Sequence, residues 1–360
     1  MSRRRVCYVT GTRAEFGLMQ TVLQAIRDHP RLDLQLVVTG MHLSRSHGQS
    51  IRQIRHYWSI DSVVPWKDTD PATATTSATR KLVQVFDRLE PDIVLVCGDR
   101  VEAFAAASAG LLDGRIVAHV HGGDRALGQL DDTLRHAITK LSHLHFPATH
   151  ASARRILRMG EQKFRIHTVG TPGLDGIRDL ARSVEPTDTQ ILVLVHPDSP
   201  DEKQQYRQTR LLLEQVRQAA TGRVVAVYPN NDPGWEGVAR ALEACSWIRT
   251  VRDLPRAVFL RHLMDARVLV GNSSSGIIEA ASLGTPVVNI GPRQKGREKS
   301  RNVRGVPWEA GRILHAIQRS MKKRFRGKNV YGEGKTGLRI ARILSDVELD
   351  DRLYQKLIRY

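Results

Sequence analysis

Asn272-Ser273-Ser274-Ser275-Gly276 ends one apolar run and opens a helical pattern. Hydroxyls and backbone N–H groups at such a strand-to-helix turn make a phosphate site. Ser273 or Ser274 can equally serve as a plain helix cap. Glu279, one or two turns on, complements the helix dipole or accepts hydrogen bonds from ribose hydroxyls. Arg293, beyond the next apolar run, offers the cation that a diphosphate needs. In the first half, Asp99 stands beside Arg100, and Asp131-Asp132 opens a helix continued by Leu134, Ile138 and Leu141. An aspartate pair in that place reads as capping or as chemistry, and the residues alone leave both open. His121 and Asp124 flank Gly122-Gly123, a turn that lets backbone approach a ligand closely. His119 and His121 bracket one strand position and point the same way, yet no third ligand is evident, so no metal is expected. His143 and His145 read as structural.

The elements that position these residues alternate. Short β-branched runs predict strands over 5–9, 34–38, 93–97, 116–120 and 145–148, and again over 191–195, 224–228, 268–270 and 287–290. Helical periodicity predicts helices over 17–28, 73–89, 103–112 and 132–141. Such alternation implies an α/β chain with parallel sheets covered by helices on both faces. The polar stretch 182–190, containing Pro186, reads as a linker. The expectation is two Rossmann-like, doubly wound domains facing a cleft: 1–182, 183–345, and a C-terminal helix over 346–360 packing back on the first. The polar motifs fall where strands end, at Gly11-Thr12-Arg13, Gly98-Asp99-Arg100, His121-Gly122-Gly123, His196-Pro197, Pro229-Asn230-Asn231-Asp232, the 272–276 serines and Gly291-Pro292-Arg293. Open α/β sheets bind ligands beyond the carboxyl ends of their strands. Any one of these motifs is an ordinary turn; seven together define a site.

The 360 residues suffice for two cores, and an apolar content of 41% is ordinary for a globular chain. No apolar run approaches the roughly 20 residues of a membrane span. The basic start is followed by a strand pattern rather than a signal peptide, and Cys7, Cys97 and Cys245 have neither metal nor disulfide spacing. A cytoplasmic chain is therefore expected. The net charge of +18 is scattered, densest at 322–326, without a nucleic-acid motif. It fits a basic surface and an anionic small substrate; neither nucleic acid nor membrane is the expected partner. No strand is followed by Gly-x-Gly-x-x-Gly, and there is no Walker A loop, His-Glu-x-x-His or Gly-x-Ser-x-Gly, which argues against a nicotinamide cofactor and a serine nucleophile.

These motifs, taken in order, resemble the UDP-N-acetylglucosamine 2-epimerase family in its hydrolysing, sialic-acid branch. The resemblance runs from Val9-Thr10-Gly11-Thr12-Arg13-Ala14-Glu15 to about Arg301. It includes Val38-Thr39-Gly40-Met41-His42, Gly98-Asp99-Arg100, His121-Gly122-Gly123, the segment Arg135 to His143, Tyr228-Pro229-Asn230, the 271–276 turn and Arg293-Gln294-Lys295-Gly296-Arg297. It implies a glycosyltransferase-B-like fold and conversion of UDP-N-acetylglucosamine and water to N-acetylmannosamine and UDP, without a cofactor. By matching position it places nucleotide-sugar contacts on Arg13, Arg100, His196, Asn230, Ser273, Ser274, Glu279 and Arg293. Acid/base work falls on Asp99 and Asp131, with His121 and Asp124 beside them. Position 121 is Glu in part of the family and His in another part. Asp124 stands where the family usually has Glu, one methylene longer. A homo-oligomer, dimer or tetramer, is expected.

The implied chemistry begins with loss of UDP from C1, which acidifies the C2–H bond. A carboxylate removes that proton to give a 2-acetamidoglucal, and water adds back with a second acid/base group assisting. Rival readings are a GDP-N-acetylglucosamine 2-epimerase of legionaminic acid synthesis, a non-hydrolysing epimerase that returns UDP to C1, a glycosyltransferase of the same fold, and a non-catalytic nucleotide-sugar sensor.

Overall fold

The structure is a computed structural model and describes residues 3–44, 49–66, 70–125, 130–230, 232–252 and 254–359. The chain forms two compact units, Met1–Asp175 with Gly334–Tyr360, and Gly176–Glu333.

In the first unit the order is β1 (Arg4–Thr10), α1 (Arg13–Arg27), β2 (Leu32–Val38), α2 (Ile51–Tyr57), β3 (Ser62–Val63), α3 (Pro71–Leu89), β4 (Ile93–Cys97), α4 (Val101–Leu112), β5 (Ile116–Val120), α5 (Leu130–Leu141), β6 (Leu144–Phe146) and α6 (His150–Arg158). The second unit holds α7 (Ile177–Arg182), β7 (Thr189–Leu194), α8 (Glu202–Ala219), β8 (Arg223–Val227), α9 (Trp235–Glu243), β9 (Arg249–Val251), α10 (Arg256–Asp265), β10 (Val268–Gly271), α11 (Ser274–Ile278), β11 (Val287–Ile290), β12 (Val303–Val306) and α12 (Ala310–Ser320). The chain then returns to the first unit as α13 (Thr336–Asp346) and α14 (Asp351–Tyr354).

Each unit is built on a six-stranded parallel sheet, ordered β3-β2-β1-β4-β5-β6 and β12-β11-β10-β7-β8-β9. Each order reverses once, between β1 and β4 and between β7 and β10, the topological switch of a doubly wound sheet. The fold class expected from sequence is thus the one observed. Central strands read as unbroken apolar runs because both faces are covered. Every residue of Ile93-Val94-Leu95-Val96-Cys97 is buried. Along β1, Val6 and Tyr8 join one core layer, while Cys7 and Val9 join the other, under α3 and α4. The three cysteines are buried and free.

The sequence expectation set unit boundaries at 182/183 and 345/346; by packing, the chain divides at 175/176 and 333/334. α7 packs on α10, and α13 packs on α1. Asp175 caps the returning helix, accepting from the Thr336 and Gly337 N–H groups at 2.7 Å each. A Cβ at Gly337 would lie 2.4 Å from the Thr21 carbonyl oxygen, so only glycine lets the two helices approach this closely. Among the described residues, no helix is long and apolar enough to cross a membrane.

Candidate active site

In the first unit, the residues singled out from sequence gather where β1, β4 and β5 end. Thr12 caps α1 by accepting from the Glu15 N–H at 3.4 Å, and the Glu15 carboxylate reaches back to the Gly11 N–H at 3.1 Å. This is a reciprocal Thr-x-x-Glu cap. It leaves the Arg13 side chain exposed at the first helical position. Arg100 occupies the position just before α4 without a side-chain capping bond and is fixed by Glu102, with Nε to Oε2 at 3.1 Å and Nη2 to Oε1 at 3.4 Å. The buried Glu102 side chain fills the space a Cβ would need at Gly11 or Gly40, at 2.5 and 2.7 Å. Two glycines therefore make room for the group that aims Arg100.

Glu15 was not singled out from sequence, although the Thr-x-x-Glu spacing signals it. Burial pushes its carboxyl up to about 8, with the nearby Glu102 charge adding to the rise and the Gly11 hydrogen bond opposing it. Its Oε1 is buried without a hydrogen-bond partner among the described residues. The folded value lies above the ordinary 4.5. The neutral carboxyl's contribution is therefore fully present below about 4.5 and is lost as pH rises to about 8. Glu15→Gln is expected to leave the melting temperature unchanged near pH 4 and to raise it progressively between pH 5 and 8. Identical melting curves for the two proteins at pH 8 would contradict this.

Asp99 follows β4, and Asp131 and Asp132 lie in the first turn of α5. Arg135, one turn further along α5 and buried, draws this region together. Its Nη2 bonds Asp99 Oδ2, while its Nη1 donates to Asp132 Oδ1 at 2.9 Å and to the Asp124 carbonyl at 3.1 Å. Asp132 also lies 3.8 Å from His136. Asp131, half-buried, has no hydrogen bond or ion pair among the described residues. The aspartate pair thus divides: Asp132 belongs to Arg135, and Asp131 is unengaged among the described residues.

His121 sits in the left-handed region at φ 64°, which turns it out of β5. Its Nδ1 meets Asp124 Oδ2 at 3.1 Å and its Nε2 meets Thr171 Oγ1 at 3.0 Å. The other Asp124 oxygen accepts from Ser152 Oγ at 2.7 Å. Asp124 therefore acts on the imidazole rather than standing free. A Cβ at Gly123 would lie 2.5 Å from the Ser152 carbonyl oxygen, so the turn closes against α6 only with glycine there. Three neighbouring histidines of this unit, His119, His143 and His145, hold structure. His119 Nε2 meets the Gly98 carbonyl at 2.7 Å, and burial lowers its pKa to about 3. His143 Nδ1 accepts from the Val117 N–H at 3.1 Å. His145 pairs with buried Glu161.

In the second unit, His196 follows β7. The buried Asn272 amide brackets it, accepting from the His196 N–H at 2.7 Å and donating to its carbonyl at 2.8 Å. Asn230 N–H donates to His196 Nδ1 at 3.1 Å. Burial, reinforced by the Arg293 charge, lowers the His196 pKa to about 4. The ring is therefore neutral near pH 7, and with Nδ1 accepting, its proton lies on Nε2, a donor. Arg293 pairs with Asp232 at 2.8 Å. Asn231, between Asn230 and Asp232, lies outside the described residues.

Ser273 caps α11, accepting from the Ser275 N–H at 3.3 Å, and Ser274 opens it. The capping reading of the serine turn is the one seen at Ser273, and the cap leaves the Ser274 hydroxyl outside it. α11 has only five residues, so these groups act as individual donors rather than through a long helix dipole. Gly271, at φ 147°, passes so close to β7 that a Cβ would lie 2.0 Å from the Leu194 carbonyl oxygen. Glu279 ends α11, paired through Oε1 with Arg256; its Oε2 is buried and has no hydrogen-bond partner among the described residues.

A family model described as UDP-N-acetylglucosamine 2-epimerase matches residues 24–345. The chain is 36% identical to a UDP-N,N'-diacetylbacillosamine 2-epimerase (hydrolyzing) of Legionella pneumophila, over 99% of this chain and 100% of that protein. It is 30% identical to a UDP-N-acetylglucosamine 2-epimerase of Neisseria meningitidis, over 92% of each. A crystal structure of UDP-GlcNAc 2-epimerase from Neisseria meningitidis bound to UDP-GlcNAc shares the fold, with a TM-score of 0.74 at 18% identity, covering 94% of this chain and 99% of that one. The match over nearly the whole chain, joined to two doubly wound sheets whose switch-point strands end in these residues, places the chain in the UDP-N-acetylglucosamine 2-epimerase family, in its hydrolysing branch.

Proposed function

We propose that this enzyme hydrolyses UDP-N-acetylglucosamine to N-acetylmannosamine and UDP through a 2-acetamidoglucal. In this reading His196 Nε2–H, Ser273, Ser274 and Arg293 donate to the diphosphate, and Glu279 Oε2 accepts from the ribose. Asn230 supports them by fixing the His196 tautomer. Arg13 and Arg100 are the cations at the strand ends of the first unit. The C1–O bond breaks with its electrons leaving on UDP, stabilised by donors already in place. Asp99 or Asp131 takes the C2 proton, and the C1=C2 double bond forms. Water then adds across it, hydroxyl at C1 and proton on the other face of C2, so the free sugar leaves inverted at C2. His121, held by Asp124, is the candidate to carry a proton in the hydration step, provided it leaves Thr171.

The observation that carries the reading is Arg135: one buried guanidinium fixes Asp99, Asp132 and the His121–Asp124 turn, while Asp131 has no partner among the described residues. A second reading rests on the 36% relative, whose name gives UDP-N,N'-diacetylbacillosamine as its substrate. That sugar offers the same C1 diphosphate and C2 acetamido group and differs at C4 and C6, so the same groups would serve it. Proton NMR with each nucleotide-sugar in deuterated water tests both. The expected result is free N-acetylmannosamine bearing deuterium at C2, with UDP. Turnover of the diacetyl sugar alone would favour the second reading. Product that keeps its original C2 hydrogen would exclude elimination.

A further inference from the structure

α5 carries Asp131, Asp132 and Arg135, and its apolar hold on the core is narrow: Ile138, buried, and Leu141, partly buried, against the layer under α3 and α4. Of its twelve residues only Arg135, Ile138 and Thr139 are buried, and only Ile138 is a large apolar side chain. Its far end is held from a distant part of the chain. Lys356, 14% exposed, reaches the Lys140 carbonyl at 2.6 Å, the Ser142 carbonyl at 2.7 Å and the Thr139 carbonyl at 3.2 Å. These are carbonyls of the last turn of α5 and of the residue after it, where helical partners run out; the Thr139 carbonyl also accepts from the Ser142 N–H at 3.2 Å. An ammonium in that place also complements the helix dipole. Glu161, buried, balances the charge at 2.9 Å and pairs with Lys140 on α5 and with His145 on β6.

The segment carrying Lys356 is itself anchored. Arg165 is fully buried, and each of its nitrogens is used: Nε on Gln162, Nη1 on the Leu353 carbonyl at 2.7 Å and the His143 carbonyl at 3.3 Å, Nη2 on the Arg352 carbonyl at 2.8 Å and the Gln355 carbonyl at 3.0 Å. Three of these acceptors belong to the terminal segment. Losing them would strand a buried guanidinium, a costly state. Arg359 N–H closes the strap on the Gly160 carbonyl at 2.9 Å. A Cβ on Gly160 would lie 2.8 Å from Ile358, so glycine makes room for the strap.

We infer that residues 352–359 form a strap whose Lys356 is a positioning residue for catalysis, holding α5 so that Asp131 and Arg135 stay in place. The inference rests on the reading of Asp131 given above. Lys356→Met is expected to lower kcat by about tenfold or more, with KM and UDP affinity changed less than about threefold, because the nucleotide is held by the second unit. Amide exchange over 131–141 speeds up in the same variant. Lys356→Arg, which keeps the charge and several donors, recovers most of the kcat. Should Lys356→Met fail to fold, the wild-type enzyme still decides. In denaturant-dependent exchange the amides of 353–359 and of α5 are expected to open together as one unit. A strap that opens far more easily than α5 overturns the inference. So does a Lys356→Met enzyme with unchanged kcat while Asp131→Asn is inactive. If Asp131→Asn is itself fully active, it is the reading of Asp131 that fails.

Discussion

Asp131→Asn is expected to lower kcat by roughly 10²–10⁴-fold, the range for one well-placed acid/base group, with UDP affinity nearly unchanged. Asparagine keeps the size and most of the polarity of the side chain but cannot take up a proton. Asp131 has no partner among the described residues, so the substitution breaks no ion pair and its effect reads as chemistry rather than as stability. Asp132→Asn is the matched control, one residue along the same turn. It weakens a contact to Arg135 and is expected to cost much less. Supplying synthetic 2-acetamidoglucal separates the two half-reactions. A variant that hydrates the glycal but does not turn over the nucleotide-sugar has lost the base for C2. A variant that forms the glycal and stalls has lost the group that returns the proton. Near-wild-type turnover by Asp131→Asn would remove this residue from the mechanism.

How much of this could be read from sequence follows from how each feature is encoded. The central strands were legible because a strand covered on both faces is an apolar run, unbroken in Ile93-Val94-Leu95-Val96-Cys97 and interrupted only by the hydrogen-bonded His119 in Ile116-Val117-Ala118-His119-Val120. The strands β3, β9 and β12 were not anticipated, and all three lie at sheet edges. Edge strands are short and half solvated: in Val303-Arg304-Gly305-Val306 no residue is buried. The ends of strands were legible as sites, because polar and glycine residues interrupt apolar runs there. The arrangement within the site was not. Arg135 lies 36 residues from Asp99 and 11 from Asp124, and only its contact with Asp132, three residues back, has a helical signature. Glu102 behind Arg100, Thr171 against His121 and Lys356 beneath α5 are likewise long-range or buried contacts with no periodicity to betray them. Asp124 shows the same limit. Its position beside the glycine pair suggested direct chemistry, while its two oxygens are committed to His121 and Ser152.

Arg135→Lys is expected to lower kcat by about 10²-fold although the charge is retained. The guanidinium is planar and divides its work: Nη2 faces Asp99, and Nη1 faces Asp132 and the Asp124 carbonyl. A lysine ammonium is a single point and cannot span that fork. At least one charge-assisted hydrogen bond is then lost, at about 1.5–3 kcal/mol each, and every 1.4 kcal/mol that reaches the transition state is about tenfold in rate. The loss should appear in kcat rather than in UDP binding, because the groups released are Asp99 and the His121 turn, which this reading assigns to the sugar. Arg135→Met should do more. It leaves the Asp99 and Asp132 carboxylates side by side without their cation, and breaking such a pair costs about 3–5 kcal/mol of stability when the partners are buried. Since these aspartates remain partly exposed, the melting temperature should fall by less than that implies, while activity falls further than in the lysine variant. Arg135→Lys with full activity would mean that Asp99 and the His121 turn hold their places without the fork. Arg135 would then be an ordinary helix ion pair, and the carboxylates grouped around it would carry no argument for where the sugar sits.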